Sequence, residues 1–117
     1  MTRNPASSPR HADSKVAAAR AMQARASEAS DLLKAMANPQ RLRVLCLLVE
    51  REMSVGEINA LIDLSQSALS QHLAVLREKG LVDTRRESQT VYYSLTEGPV
   101  HDIIATLHGA YCVPPAG

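Results

Sequence analysis

Two thiols, Cys46 and Cys112, are the redox-active nucleophiles of this 117-residue sequence, and they stand 66 positions apart. A thiolate can attack a peroxide or a sulfane sulfur, and a second thiol can resolve the product into a disulfide or a polysulfide bridge. Two cysteines are too few for a secreted disulfide scaffold and lack metal-knuckle spacing, so reduced thiols are the default. On the residues alone, a single Cys on an apolar helix is usually a small core residue. Arg43, three residues before Cys46, and His108, four before Cys112, fall one helical turn away. Either could favour a thiolate, or face solvent instead.

A second chemistry is hydrogen bonding to base edges. Gln66, Ser67, Ser70 and Gln71 fall at i, i+1, i+4 and i+5, one polar face of a helix. Glutamine can bond adenine N6 and N7 together, and serine can bond several base edges or phosphates. His72 and Arg77 flank this face, Ser65 precedes it, and Arg85, Arg86 and Gln89 further on suit phosphate or minor-groove contact. Any surface helix shows a polar face and any exposed hairpin tip tends to be charged. Only an ordered constellation of elements makes the DNA reading the better one.

Those elements can be read in turn. Residues 1–13 (MTRNPASSPRHAD) are rich in Pro, Ser and Arg without periodicity, and read as a disordered basic arm or a leader remnant. From Ser14 an Ala-rich stretch with Met22, Ala29, Leu32, Leu33 and Met36 predicts a long helix with a weak apolar face. Asn38 is placed as N-cap and Pro39 as first residue of a second helix, carrying Leu42, Leu45, Cys46, Leu48 and Val49 to about Glu50. Ser54 with Glu57 is a capping box for a short helix to Ile62, with Val55, Ile58, Leu61 and Ile62 facing in. After the turn at Asp63-Leu64, Ser65 caps a fourth helix, built on Ala68, Leu69, Leu73 and Leu76, that ends at Lys79 with Gly80 in the left-handed region.

Residues 81–86 and 90–95 are β-prone runs about the polar Glu87-Ser88-Gln89, a hairpin wing. Val100, Ile103, Ile104, Leu107 and Tyr111 give a last helix, and the tail beyond residue 113 cannot continue it. The expected fold is mainly α (α+β): a winged helix-turn-helix of about five helices and a two-stranded wing over residues 14–113, followed by a tail at 114–117.

Composition bounds the function. Net charge is +1, with five basic against two acidic residues in positions 1–30 and eight against ten thereafter, so DNA contact must come from placement. A mildly acidic module of this size binds weakly alone. A homodimer joined through its first and last helices would place two recognition helices about 34–36 Å apart on a palindromic operator. No apolar run could span a membrane and no signal peptide begins the chain, so the expectation is a cytoplasmic protein. There is no Cys-x-x-Cys, Gly-rich phosphate loop or assembled Ser/His/Asp set, which argues against an enzyme, and no cofactor is expected.

The run from Leu32 to Leu95, including LLKAMANPQRLRVLCLL, SVGEINALIDLSQSALSQHLAVLREKGLV and TVYYSL, resembles the ArsR/SmtB family of winged-helix repressors. The resemblance implies a homodimer that binds operator DNA and is released by an inducer. Metal sites of the family do not transfer: the thiolate pair at the start of the third helix corresponds to Ser54 and Gly56, and the ligand pair on the last helix to Glu97 and Pro99. His101 and His108 share a face but stand about 10 Å apart along the axis. A non-standard or inter-subunit metal site is the surviving form of that alternative. The positions of Cys46 and Cys112, with the ending LHGAYC, are similar to the HlyU/BigR/SqrR-like subgroup. That similarity implies that the two cysteines sense reactive sulfur or oxidant, reversing the reading from the residues alone. An anti-repressor that displaces another DNA-binding protein fits the same sequence.

Overall fold

The structure, a computed structural model, describes residues 9–112, with side chains from residue 13. The chain divides into two compact units, Met1–Asp31 and Leu32–Gly117. Both thiols, the helix-turn-helix and the hairpin belong to the second. The expected arm lies outside the described residues as far as position 8. At its end the expectation is corrected, because helix α1 (Pro9–Met36) starts at Pro9 and not at Ser14. Proline is tolerated in a first helical turn, where its missing N–H has no partner to lose. The tail at 114–117 also lies outside the described residues.

Asn38 ends the first helix and starts the second. Its backbone is extended, as a residue before proline prefers, and its Oδ1 accepts from the amides of Gln40 at 3.0 Å and Arg41 at 3.1 Å. Helix α2 (Pro39–Glu50) then buries Val44, Leu45 and Leu48. The apolar face expected on α1 is corrected at its C-terminal end: Leu33 is 51% exposed, while Ala35 and Met36 are buried.

The capping box forms as the sequence implies, with Glu57 N donating to Ser54 Oγ at 3.2 Å and Ser54 N to Glu57 Oε1 at 3.0 Å. It opens α3 (Val55–Leu61). The chain leaves the helix at Ile62 in an extended conformation, which returns Ile62 to the core and leaves Leu61 60% exposed. Asn59 Nδ2 donates to Leu64 O at 2.8 Å and braces the turn. Helix α4 (Gln66–Glu78) follows, capped by Ser65 Oγ, which accepts from Ala68 N at 3.1 Å. Gly80, at φ +78°, closes it. Leu81 N donates to Leu76 O at 2.8 Å and Gly80 N to Arg77 O at 3.1 Å, a Schellman ending.

The sheet has one more strand than the sequence predicts. Strands β2 (Val82–Glu87) and β3 (Thr90–Leu95) form the hairpin about Ser88 and Gln89, with Ser88 at φ +57°. The two-residue β1 (Met53–Ser54) pairs antiparallel with β3 at Tyr93 and Tyr92, so the order is β1-β3-β2. Helix α5 (Pro99–Leu107) buries Val100 and Ile104 and continues as a π-helical turn, His108–Cys112. A π turn bonds i to i+5, so Cys112 takes the position relative to Leu107 that Tyr111 would hold in an α-helix. Tyr111, expected inward, is 81% exposed. The core is aliphatic, with Leu45, Ile58, Leu69, Leu73, Leu76, Leu81 and Ile104 at its centre. Among the described residues no helix is long and apolar enough to cross a membrane.

Candidate functional site

Helix α2 and the π turn run antiparallel, so His108 meets Glu50 and, one turn on, Cys112 meets Cys46. Both cysteines are free thiols, Cys46 half-buried and Cys112 exposed. They line a cavity of about 490 Å³ between α2 and the end of α5, bordered also by Leu61 and Ile62 from the end of α3. Burial pushes the Cys46 thiol up to about 11, and the hydrogen bond and charge of Cys112 beside it act in the same direction. At neutral pH Cys46 therefore keeps its proton, and Cys112 is the sulfur that a reagent in solvent meets first.

The two expected thiolate-tuning residues have side-chain partners other than the thiols. Arg43 donates from a guanidinium nitrogen to Gln40 Oε1 at 2.8 Å, and it is not among the groups that shift Cys46. His108 Nε2 lies 3.4 Å from Glu50 Oε1. Helical spacing gave the turn on which each residue sits but not the direction of its side chain. Alkylation of Cys46 by iodoacetamide, followed peptide by peptide, is expected to rise about tenfold per unit from about pH 7 to about pH 10, tracking the thiolate fraction. A plateau near pH 8 would contradict the raised value.

The second group of residues forms an exposed surface. Gln66, Ser67, Ser70 and Gln71 are all exposed on α4, while Leu69 and Leu73 on its other side are buried. Ser65 is exposed, but its hydroxyl is engaged as the cap. Arg77 is exposed in the last turn and His72 is half-buried. On the wing, Arg86 and Gln89 are exposed.

Arg85, expected as a nucleic-acid contact, is tied within the protein. Its Nε lies 3.2 Å from both carboxylate oxygens of Glu52, its Nη1 3.0 Å from Glu87, and its guanidinium carbon 4.7 Å from the centre of the Tyr92 ring. Alternation along β2 explains the set: positions 85 and 87 share one face and Arg86 takes the other. These carboxylates raise the Arg85 pKa and Arg85 lowers that of Glu52, the hydrogen bond being the first cause in each. Arg86 meets no carboxylate among the described residues.

Among the described residues no three His, Cys, Asp or Glu side chains gather as they would to hold a metal ion. The cavity was missed in the sequence, because Leu61 and Tyr111 were both read as core. The signal that could have found it is Gly109, a weak helix former inside the last stripe.

Residues 38–84 match the sequence signature described as "Bacterial regulatory protein, arsR family". The chain is 54% identical over 91 residues to the transcriptional activator HlyU of Vibrio cholerae, covering 78% of this chain and 84% of that protein. It is 47% identical over 94 residues to the biofilm growth-associated repressor of Agrobacterium fabrum, covering 80% of each. The structure of reduced HlyU from Vibrio cholerae superposes with a TM-score of 0.75 at 52% identity, over 80% of this chain and 99% of that one. These relatives are DNA-binding transcriptional regulators and not enzymes.

Proposed function

Because the chain belongs to the arsR family of bacterial regulatory proteins, we propose that it is a repressor whose hold on a palindromic operator is switched by bridging Cys46 and Cys112. The observation that carries this reading is that the two thiols, 66 positions apart in the sequence, stand beside each other at one cavity. In the proposed form the protein is a cytoplasmic homodimer joined through its first and last helices. Helix α4 enters the major groove with Gln66, Ser67, Ser70 and Gln71, and Ser65, His72, Arg77, Arg86 and Gln89 lie along the backbone. Arg85 acts there chiefly by holding the wing to Glu52.

The chemistry balances with either inducer. The Cys112 thiolate attacks a peroxide, taking one oxygen as sulfenic acid and releasing an alkoxide or hydroxide. Cys46 then condenses with it, loses its proton, and water leaves as the disulfide forms. With a persulfide, the sulfane sulfur passes to Cys112 and a thiolate departs. Attack by Cys46 on the Cys112 Sγ then expels hydrosulfide and leaves a direct disulfide. A trisulfide retains that sulfur and requires a second persulfide to accept two electrons. The bond joins the helix-turn-helix body to the last helix and shifts the spacing of the two recognition helices.

Operator binding tests this by gel shift on reduced protein, then on protein treated with peroxide or with glutathione persulfide, with the linkage read by mass spectrometry. Cys112→Ser is expected to bind operator as the reduced parent does and to stay bound under both reagents. A Cys112→Ser protein that is still fully released would sink the thiol switch. A second reading, activation by displacing another DNA-binding protein, is favoured by the activator name of the Vibrio relative. It predicts the same binding behaviour, with the opposite sign at the promoter.

A further inference from the structure

The cavity beside the thiols is larger than their chemistry needs. A disulfide requires the two sulfurs alone, whereas about 490 Å³ is open between α2 and the end of α5. That volume falls in the range of sites that hold small molecules, roughly 300–1,000 Å³. Its wall is mostly aliphatic, with Leu42 and Leu47 from α2, Leu61 from α3 and Leu107 from α5. Two of the large side chains left exposed in the described structure, Leu61 and Tyr111, stand at this cavity.

Charge is placed at its two ends. Arg43 and Glu50 are seven residues apart on α2, close to two turns, which puts them about 10 Å apart along the axis. Glu50 faces His108. Arg43 has the neutral amide oxygen of Gln40 as its side-chain partner and meets no carboxylate among the described residues. The cavity thus presents an apolar trough with a guanidinium at one end and a carboxylate at the other.

We propose that this trough is a binding site for an apolar carboxylate of the medium-chain alkanoate type. The carboxylate pairs with Arg43, where a guanidinium offers two parallel N–H donors. The tail lies along Leu42, Leu47 and Leu107 toward Glu50, whose charge disfavours the reverse orientation. Bound there, the tail passes over Cys46 and separates solvent from the thiol pair. The site makes no use of sulfur chemistry, so it is a second input, which meets the proposed switch only by covering Cys46.

Calorimetry on the reduced full chain, with decanoate and with decanol as a tail of the same length without charge, tests the site. The expected result is saturable binding of one decanoate per chain, at least roughly tenfold tighter than decanol, the difference that one charge-assisted pair supplies. Arg43→Gln, on an exposed side chain, should cost about tenfold for decanoate and leave decanol unchanged. Cys46→Ser with Cys112→Ser should bind decanoate as the parent does, which separates this site from the thiol switch. Bound decanoate should also slow alkylation of Cys46 in the parent. No saturable binding, or binding indifferent to Arg43→Gln, overturns the proposal, and the apolar face would then belong to contact between copies of the chain.

Discussion

Glutamate at both position 66 and position 71 is expected to lower affinity for operator DNA by roughly a thousandfold, two lost bidentate base contacts at about 2 kcal/mol each. The same change should leave the folded chain intact. Gln66 is the first residue of α4, where a carboxylate is favourable to the helix dipole, and both side chains are exposed. Binding thus falls while folding holds, which a merely structural role for these residues would not produce. The measurement is a titration of operator duplex at fixed salt beside a urea melt. Unchanged DNA affinity would remove α4 from the interface.

The second large effect lies under that face. Leu73, 1% exposed, packs α4 onto the aliphatic core, and Leu73→Ala is expected to cost about 2–5 kcal/mol through lost transfer energy and the cavity left behind. For a small domain whose whole stability is typically about 5–15 kcal/mol, much of the folded population is at stake. The urea midpoint should fall with the slope unchanged. Leu61→Ala is the control: at 60% exposure it should change stability by no more than about 0.5 kcal/mol. Equal effects at the two leucines would contradict the packing described.

The contrast between those leucines shows what could be read from the sequence. Helix ends were legible wherever a side chain bonds the backbone locally: Asn38, Ser54 with Glu57, Ser65, and the left-handed Gly80. The helix-turn-helix and the hairpin followed from them, as did the exposed face on α4. Strand β1 was not legible, since two residues carry no periodicity and its pairing depends on Tyr92 and Tyr93, about forty positions on. The Arg85 clamp escaped for the same reason, its partner Glu52 lying 33 positions away. The thiol pair was suggested by resemblance, not by spacing. Their meeting depends on the π turn, a tertiary outcome that shifts the phase of the last stripe and turns Tyr111 out. For Arg43 the sequence left two directions open, toward the thiol or away from it, and its guanidinium bonds Gln40.

A single residue, Leu81, separates the left-handed Gly80 from strand β2. It is fully buried and donates its N–H back to Leu76. Helix α4 and the wing therefore behave as the two jaws of a caliper with its screw tightened: the distance between what the helix touches and what the hairpin touches is fixed before any DNA arrives. An inducer acting elsewhere in the fold cannot loosen that setting cheaply. In the proposed dimer, what it can alter is how two calipers are held relative to each other, so each half-site would be measured by one chain and only the gap between half-sites would be open to negotiation.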